Sequence, residues 1–439
     1  MSGIFTERAF RILFGAQTLG LLGNGVTIVG LSYFAYSVAG DRAGAVIGLF
    51  YITKMLAFIT IAPLSSGIRI DRKSALIGLC LFRAAVVLLL PLSDSVWQAV
   101  LVVLLIHSAT AAFVPLMQTV LSQIFPDEAR FTRAVGMTRL SYSMEQVASP
   151  IIVGALLFMV APPNLFFVTA VGFVLAALVL TRIRLPQVPA TAQQRAGLRG
   201  ALRGIRIYSR TPRLRALVAA DLAVACAAAT VFLNTVVIVQ GRFGLPEHFT
   251  AIAYGAFGCG AAASSLLTPR LLDRISDRSA ILAAGTSMAV LTILQYLLPG
   301  FAALLPVWFL MGAGYSLALI PAARVVRRSS APEALHHLFA AQVMQTHCCW
   351  LVAYLVVGFS SAAFGADASA PALGLFSLLC LAATAALWPA RDPEELAHSH
   401  DDLPADHPHL REGIVIGGTR HSHRFVIDDL HRRWPAPHP

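Results

Sequence analysis

Long apolar runs alternate with short, polar and mostly basic turns along most of this chain. The first runs from about Phe10 to Ala39, the second from Ala43 to Ser65, the third from Ser74 to Pro91 and the fourth from Val96 to Gln123. A helix needs about 20 apolar residues to cross a bilayer, so each predicts a membrane span. A fifth run includes Thr138 to Gly154 and a sixth ends near Leu180. The chain then turns polar and basic until Arg215. Leu214-Arg215-Ala216-Leu217 opens a seventh run as Phe10-Arg11-Ile12-Leu13 opens the first, and five more follow to Trp388. The pattern predicts an all-α membrane protein with twelve transmembrane helices in two pseudo-symmetric six-helix bundles, residues 1–183 and 214–388. A cytosolic basic linker, 184–213, joins them, and a cytosolic tail, 389–439, follows.

The repeat is sharpest in two turns. Gly67-Ile68-Arg69-Ile70-Asp71-Arg72-Lys73-Ser74-Ala75 returns as Asp273-Arg274-Ile275-Ser276-Asp277-Arg278-Ser279-Ala280, in each case between the second and third runs of its half. Asp71 and Asp277 are each placed to accept hydrogen bonds from the free N–H groups of a new helix. A lone copy would read as a solvated charged turn. Two copies at matched positions make Gly67, Asp71, Arg72, Lys73, Asp277 and Arg278 candidate gating residues.

Polar residues inside apolar runs are costly and mark pathways or partners. Gln17, Gly20 and Asn24 share one helix face. Lys54 lies about ten residues from either end of its run, too deep for easy snorkelling, which predicts an ion pair or a functional cation. Arg83 is close enough to the cytosolic side to snorkel. His107, Thr110, Val114, Met117 and Gln118 form a polar stripe in which a structural histidine is the plainer reading. Thr138, Ser141, Tyr142, Glu145 and Ser149 line one face of the fifth run. Glu145 reads equally as a proton carrier and as a static partner for Lys54 or Arg139. Asp221 stands in the seventh run where Gln17 stands in the first. Met344, His347 and Cys348 fall on one face of the eleventh run, where packing is the plainer reading and soft-metal ligation the alternative.

The chain has 439 residues, 57% hydrophobic and only 13% charged, which excludes a single soluble core. A net charge of +11 would suggest nucleic acid in a soluble protein. Here the arginines cluster in alternate turns, which assigns them to the membrane and places both termini in the cytosol. No nucleic-acid partner is expected. The spacing of three or four residues between Arg195, Arg199, Arg203, Arg206 and Arg210 predicts an amphipathic linker helix on the inner leaflet. The six cysteines lie in apolar runs without framework spacing, so no structural disulfides are expected. The first run is too long for a signal-peptide core.

The tail differs. Eight of the thirteen histidines fall in the last 42 residues: His398, His400, His407, His409, His421, His423, His431 and His438. Three His-x-His pairs interleaved with aspartates predict a site for nickel, copper or zinc. A flexible tail whose histidines titrate near neutrality is the alternative. Ile414-Val415-Ile416-Gly417-Gly418 and Phe425-Val426-Ile427 read as the strands of a small hairpin that would gather the pairs.

With the Gly67…Asp71-Arg72-Lys73 turn, its Asp277-Arg278 counterpart, the Ser149-Pro150…Gly154 stretch and the twelve-run plan, residues 10–388 resemble the major facilitator superfamily. The opening Phe10-Arg11…Leu21-Leu22-Gly23-Asn24-Gly25-Val26-Thr27 is similar to the efflux branch that includes macrolide and enterobactin exporters. That branch often carries an acid where this chain has Asn24, so proton coupling would pass to Glu145 or Asp221, or coupling differs here. The His-rich tail is similar in composition to that of nickel-resistance permeases. The resemblance implies a cavity between two bundles, opening alternately to each side, with Asn24, Lys54, His107, Glu145, Asp221 and His347 within reach of a substrate. It implies a proton-coupled exporter in the cytoplasmic membrane of a transition-metal ion or chelate. The alternative is a lipophilic drug, siderophore or metabolite, with the tail as sensor or bystander. No cofactor is implied. No nucleophile–His–acid set or phosphate loop can be assembled, so an enzyme is not expected.

Overall fold

The apolar runs become helices of membrane-crossing length. The structure is a computed structural model that describes residues 2–39, 43–65, 71–156, 159–185, 198–393, 395–400, 403–404, 407–411, 413–417, 419–428 and 430–435. Gly67 and His438 lie outside the described residues, as do the side chains of Ser149 and Pro150. After a short α1 (Ser2–Phe5), the first bundle comprises α2 (Arg8–Ala39), α3 (Ala43–Ser65), α4 (Arg72–Val87), α5 (Val96–Ile124), α6 (Glu128–Leu156) and α7 (Leu165–Thr181). A linker helix, α8 (Leu198–Arg210), precedes the second bundle. That bundle comprises α9 (Pro212–Val236), α10 (Glu247–Leu271), α11 (Asp277–Leu294), α12 (Phe301–Arg328), α13 (Leu335–Phe364) and α14 (Ala366–Leu387). Ten of the twelve are long and apolar enough to cross a membrane. Of the other two, α7 is apolar but only 17 residues long, and the 29-residue α6 carries the polar stripe.

Local chemistry sets the helix ends. Ser95 and Gln98 form a reciprocal capping box that starts α5. Asp71 caps α4, its carboxylate accepting from the Ser74 N–H at 2.9 Å; that bond, against slight desolvation, holds the carboxyl below its usual range. Its counterpart differs. Ser276 caps α11, accepting from the Ser279 N–H, while Asp277 is already helical and buried. The shift by one residue turns the Asp277 carboxylate away from the helix end and toward α12.

The bundles share one core at the end where α1, α8 and the tail gather. Phe10, Phe125 and Phe131 of the first bundle pack there with Leu214, Ile320 and Phe339 of the second and with Phe425 and Ile427 of the tail. Toward the other end the cores separate. Leu31, Phe50 and Phe166 stay in the first bundle, and Val231, Phe257 and Trp308 in the second. The molecule is therefore closed at the end that carries the basic turns. Leu81, Phe82, Val171, Leu178, Leu355 and Phe359 are among many apolar side chains exposed on the outer helix faces, as a lipid-facing surface requires.

Small residues permit close helix contact. A Cβ on Gly260 of α10 would collide with the Phe309 carbonyl of α12, and one on Gly312 of α12 with the Phe257 carbonyl of α10. The linker helix uses the same device: Gly204 meets the His337 carbonyl of α13, and the Tyr208 hydroxyl donates to Gln342 Oε1 at 2.6 Å. Ile207 and Tyr208 of its apolar stripe thus join the shared core, against α13 and α3, while Leu202 stays exposed. Arg83 departs from expectation. It does not snorkel: it is 3% exposed, with its guanidinium 4.5 Å from the Phe173 ring centroid and 4.8 Å from that of Phe113. Cation–π attraction in an apolar core stands in for hydration.

The tail forms a three-stranded antiparallel sheet in the order β1 (Glu395–Ser399), β3 (Arg420–Arg424), β2 (Ile414–Gly417). The expected strand at Phe425–Ile427 is displaced into Arg420–Arg424, because Phe425 and Ile427 are drawn into the bundle core. β1 has no counterpart in the expected hairpin.

Gly312→Leu should lower the unfolding temperature of the detergent-solubilised protein, since overpacking costs about 1–3 kcal/mol. Gly78→Leu, at a position where an added Cβ meets only open space, should leave it unchanged.

Candidate transport pathway and metal centre

Three groups of polar residues stand out against the apolar framework. The first lies where the bundles meet at mid-helix. Lys54 on α3 is within electrostatic reach of Glu145 on α6, His107 on α5 and His347 on α13. His347 stacks on Phe58 of α3 with ring centroids 4.0 Å apart and an interplanar angle of 13°, and His107 tilts against the same ring at 6.4 Å. His347 Nδ1 is held by the Val343 carbonyl at 2.8 Å, which leaves Nε2 as the acceptor. Elements of both bundles thus place two imidazoles against one aromatic ring, with Lys54 in electrostatic reach of both and of Glu145.

Asp221 on α9 occupies a second polar position. It is 8% exposed and accepts hydrogen bonds from Thr346 Oγ1 at 3.0 Å and Gln342 Nε2 at 3.2 Å, both on α13. Although it lies in the first half of α9, α13 covers it. Arg139 of α6, whose guanidinium sits 5.7 Å from the Tyr142 ring centroid, acts electrostatically on Asp221 from across the bundle boundary. Lys54 is the base beside Glu145 and Arg139 the base beside Asp221. Arg139, Tyr142, Thr138 and Gln118 line a cavity of about 50 Å³ closed by Ala323 and Phe339 of the second bundle. Asn24 is half-buried on α2 and, among the described residues, shares no hydrogen bond or ion pair with these groups.

The second group closes the basic end. Arg324 of α12 lies 2.7 Å from Glu128 of the first bundle and 3.3 Å from Asp277 of its own. Arg327 donates to the Pro126 carbonyl across the same boundary and covers the Phe131 ring at 4.6 Å. The turn residues Arg72 and Arg278 brace the neighbouring helices. Arg72 donates to Gln123 Oε1 at 2.9 Å, and Arg278 donates to the Trp388 carbonyl at 2.8 Å. Lys73 offers Asp71 both its backbone N–H and its charge. Arg324 and Glu128 escaped the sequence reading because nothing in their own turns marks them as partners.

The third group is in the tail. β1 and β3 pair His398 directly with His421 and Leu396 with His423, so the alternate residues share one face. His409 and His431 approach from the flanking loops. His431 Nε2 lies 3.0 Å from His398 Nε2 and 3.2 Å from the Nε2 atoms of His400 and His409. His409 Nε2 lies 3.4 and 3.3 Å from those of His421 and His423. The sets His398, His409, His421, His423 and His398, His400, His409, His431 are each spaced to hold a metal ion. His407 stands apart, its Nδ1 accepting from the His409 N–H at 3.2 Å.

Partners behind the rings aim them inward. Nδ1 of His398 donates to the Leu396 carbonyl at 2.9 Å, and that of His423 to the Arg424 carbonyl at 2.8 Å. His431 Nδ1 bonds Asp428 Oδ1 at 2.9 Å. Burial, backed by His431, His423 and His421, pushes His398 down to about 4, against the pull of the Leu396 carbonyl. Its neutral form, the one that ligates, therefore dominates near neutral pH. Burial also lowers His421. The cage docks on the closed end: Asp392 accepts from Arg213 at 3.2 Å, Arg328 at 2.8 Å and the Trp388 indole at 3.0 Å. Arg424 donates to the Arg327 carbonyl.

Two helical bundles meeting at one end around buried charges define a membrane transporter. The chain belongs to the major facilitator superfamily, whose family model matches residues 13–294 and 221–418. It is 22% identical over 332 residues to the uncharacterized MFS-type transporter YfiS of Bacillus subtilis (strain 168), covering 72% of this chain and 78% of that protein. Among solved structures it is similar to the human organic anion transporter MFSD10, with a TM-score of 0.73, 14% identity and 86% and 99% of the two chains covered. A bacterial homologue of the iron transporter ferroportin, in its outward-facing state, aligns with a TM-score of 0.71 at 14% identity, over 86% and 98% of the chains. These structural likenesses establish the fold.

Arg324→Gln should loosen the closed end. Such ion pairs contribute on the order of 1 kcal/mol, so spin labels across that end should show a larger open population; an unchanged distance distribution would remove Arg324 from the closure. Asp392→Ala withdraws a carboxylate from buried Arg213 and should cost about 1–3 kcal/mol. Faster protease release of the tail would register the loss.

Proposed function

We propose that this transporter exports a transition-metal ion, or a small chelate of one, from the cytosol in exchange for protons. The observation that carries the reading is a cage of six imidazoles docked on the closed, basic end of the bundles. Basic turns favour the cytosolic side, which puts that end, the linker and the tail inside the cell in the cytoplasmic membrane. There the cage meets metal before the pathway does, and delivers or senses it. Asp71, Arg72, Lys73, Asp277 and Arg278 brace the turns that must part when this end opens, and Gly67 belongs to the same gating set.

Glu145 is the proposed proton carrier. Lys54 lies within electrostatic reach of the Glu145 carboxylate. When a proton neutralises it, Lys54 loses its counter-ion and must move or find another. That links proton occupancy to the two seams between the bundles, α3 against α13 and α6 against α10. His107 and His347 supply imidazoles that a metal or its chelate can use, with Asn24 a polar neighbour on α2.

Buried Lys54 also supports a second reading, export of an anionic drug, siderophore or metabolite, because a fixed cation repels a bare metal ion and attracts an anion. In that case the cage senses metal. Vesicle uptake with radiolabelled nickel on one hand and dye substrates on the other separates the two.

Glu145→Gln should keep substrate binding and lose accumulation driven by an imposed pH gradient. Persistent accumulation would transfer the coupling role to Asp221, and Asp221→Asn in the same vesicles would test that assignment.

A further inference from the structure

We propose that the six tail imidazoles form one octahedral site for a single first-row divalent cation, with nickel(II) the best match, and not two four-coordinate sites. The proposal rests on the reading that the tail holds metal and goes further, fixing how many ligands and which geometry.

The rings are arranged as an octahedron. His398 and His409 are the apices, with ring centroids 6.4 Å apart. Each apex touches the same four rings: His398 at 5.0, 4.6, 4.7 and 4.8 Å from His400, His421, His423 and His431, and His409 at 4.9, 4.9, 4.8 and 4.9 Å. Those four close into a belt. His400 lies 5.4 Å from His421, His421 5.0 Å from His423, His423 5.1 Å from His431, and His431 4.9 Å from His400.

The donor atoms agree. With metal–nitrogen bonds of about 2.1 Å, adjacent donors of an octahedron lie about 3.0 Å apart and opposite ones about 4.2 Å. Five adjacent pairs lie 3.0 to 3.4 Å apart, and each four-residue set, sharing His398 and His409 with the other, falls within 4.8 Å. Two four-coordinate ions cannot be held at once. Both sets need His398 and His409, and a neutral imidazole offers one lone pair at Nε2. The other nitrogen of His398 is already a donor to Leu396. One central ion uses every ring once.

Geometry then selects the ion. Zinc is usually satisfied by four ligands and copper(II) favours tetragonal sites. Among ions that accept six nitrogen donors, affinity rises from manganese through iron and cobalt to nickel. Asp428 acts as a positioning residue, holding His431 in the tautomer that points Nε2 at the centre.

The test uses the full-length protein in detergent, loaded with nickel(II) chloride. X-ray absorption should show six nitrogen neighbours with imidazole scattering, and elemental analysis one nickel per chain. His409→Ala should weaken nickel binding at least as much as losing an outer-shell partner does, about 10-fold, while His407→Ala should bind as the parent does. Four nitrogen neighbours, or two nickel ions per chain, would overturn the octahedral site and leave a metal-binding tail intact. Nickel binding that is unchanged in a His398→Ala/His409→Ala variant would overturn the metal reading itself.

Discussion

Arg324 is the joint on which the observed state depends. One guanidinium at the end of α12 reaches Glu128 in the first bundle and Asp277 in the second, where the planar fork of arginine serves two carboxylates at once. Asp277 is available for this only because Ser276 takes over the capping of α11. Around that joint, Arg327 clamps the Pro126 turn, Phe10, Phe125 and Phe339 exclude water, and the tail packs over the outside. Break the joint, and the shared core at this end keeps the Arg327–Pro126 hydrogen bond and apolar burial but loses its inter-bundle ion pair.

The same economy governs the interior. A buried charge is costly in a medium that offers no water, and three cations among the described residues have an opposing charge in electrostatic reach or an aromatic face. Lys54 has Glu145, Arg139 has Asp221, and Arg83 has Phe113 and Phe173. Only the first two arrangements involve a carboxylate, and both lie where helices of the two bundles meet. A charge pair at a sliding boundary can be rearranged by a proton, whereas a cation held between two rings inside one bundle cannot. That distinction underlies the proposal that Glu145 and Asp221 are the groups to test for coupling, and Arg83 is not.

The tail joins two periods of structure. His-x-His places both imidazoles on the same side of a strand, and antiparallel pairing of β1 with β3 brings two such pairs face to face. Hydrogen bonds behind the rings fix which nitrogen points inward. The sheet is then anchored by Phe425, Ile427 and Trp434 in the bundle core and by Asp392 among the arginines of α9 and α12. Ligand geometry and docking surface belong to one folded unit on the closed face.

Much of this was written in local pattern. Runs of about 20 apolar residues determine membrane helices wherever they occur, since only a helix satisfies its own backbone in lipid, and the repeat of those runs implies two bundles. Lys54, Glu145, Asp221 and the tail histidines were visible as polar residues in the wrong surroundings or in excess. What only the tertiary structure decided was partnership. Gly204 let α8 pack closely on α13, and the pull of the core on Phe425 moved β3 four residues earlier. Burial between two aromatic rings kept Arg83 from snorkelling. Six histidines from four separate stretches found one centre while His407, within two residues of a cage member, did not. Each outcome depends on distances between segments far apart in the chain, and local periodicity carries no information about those.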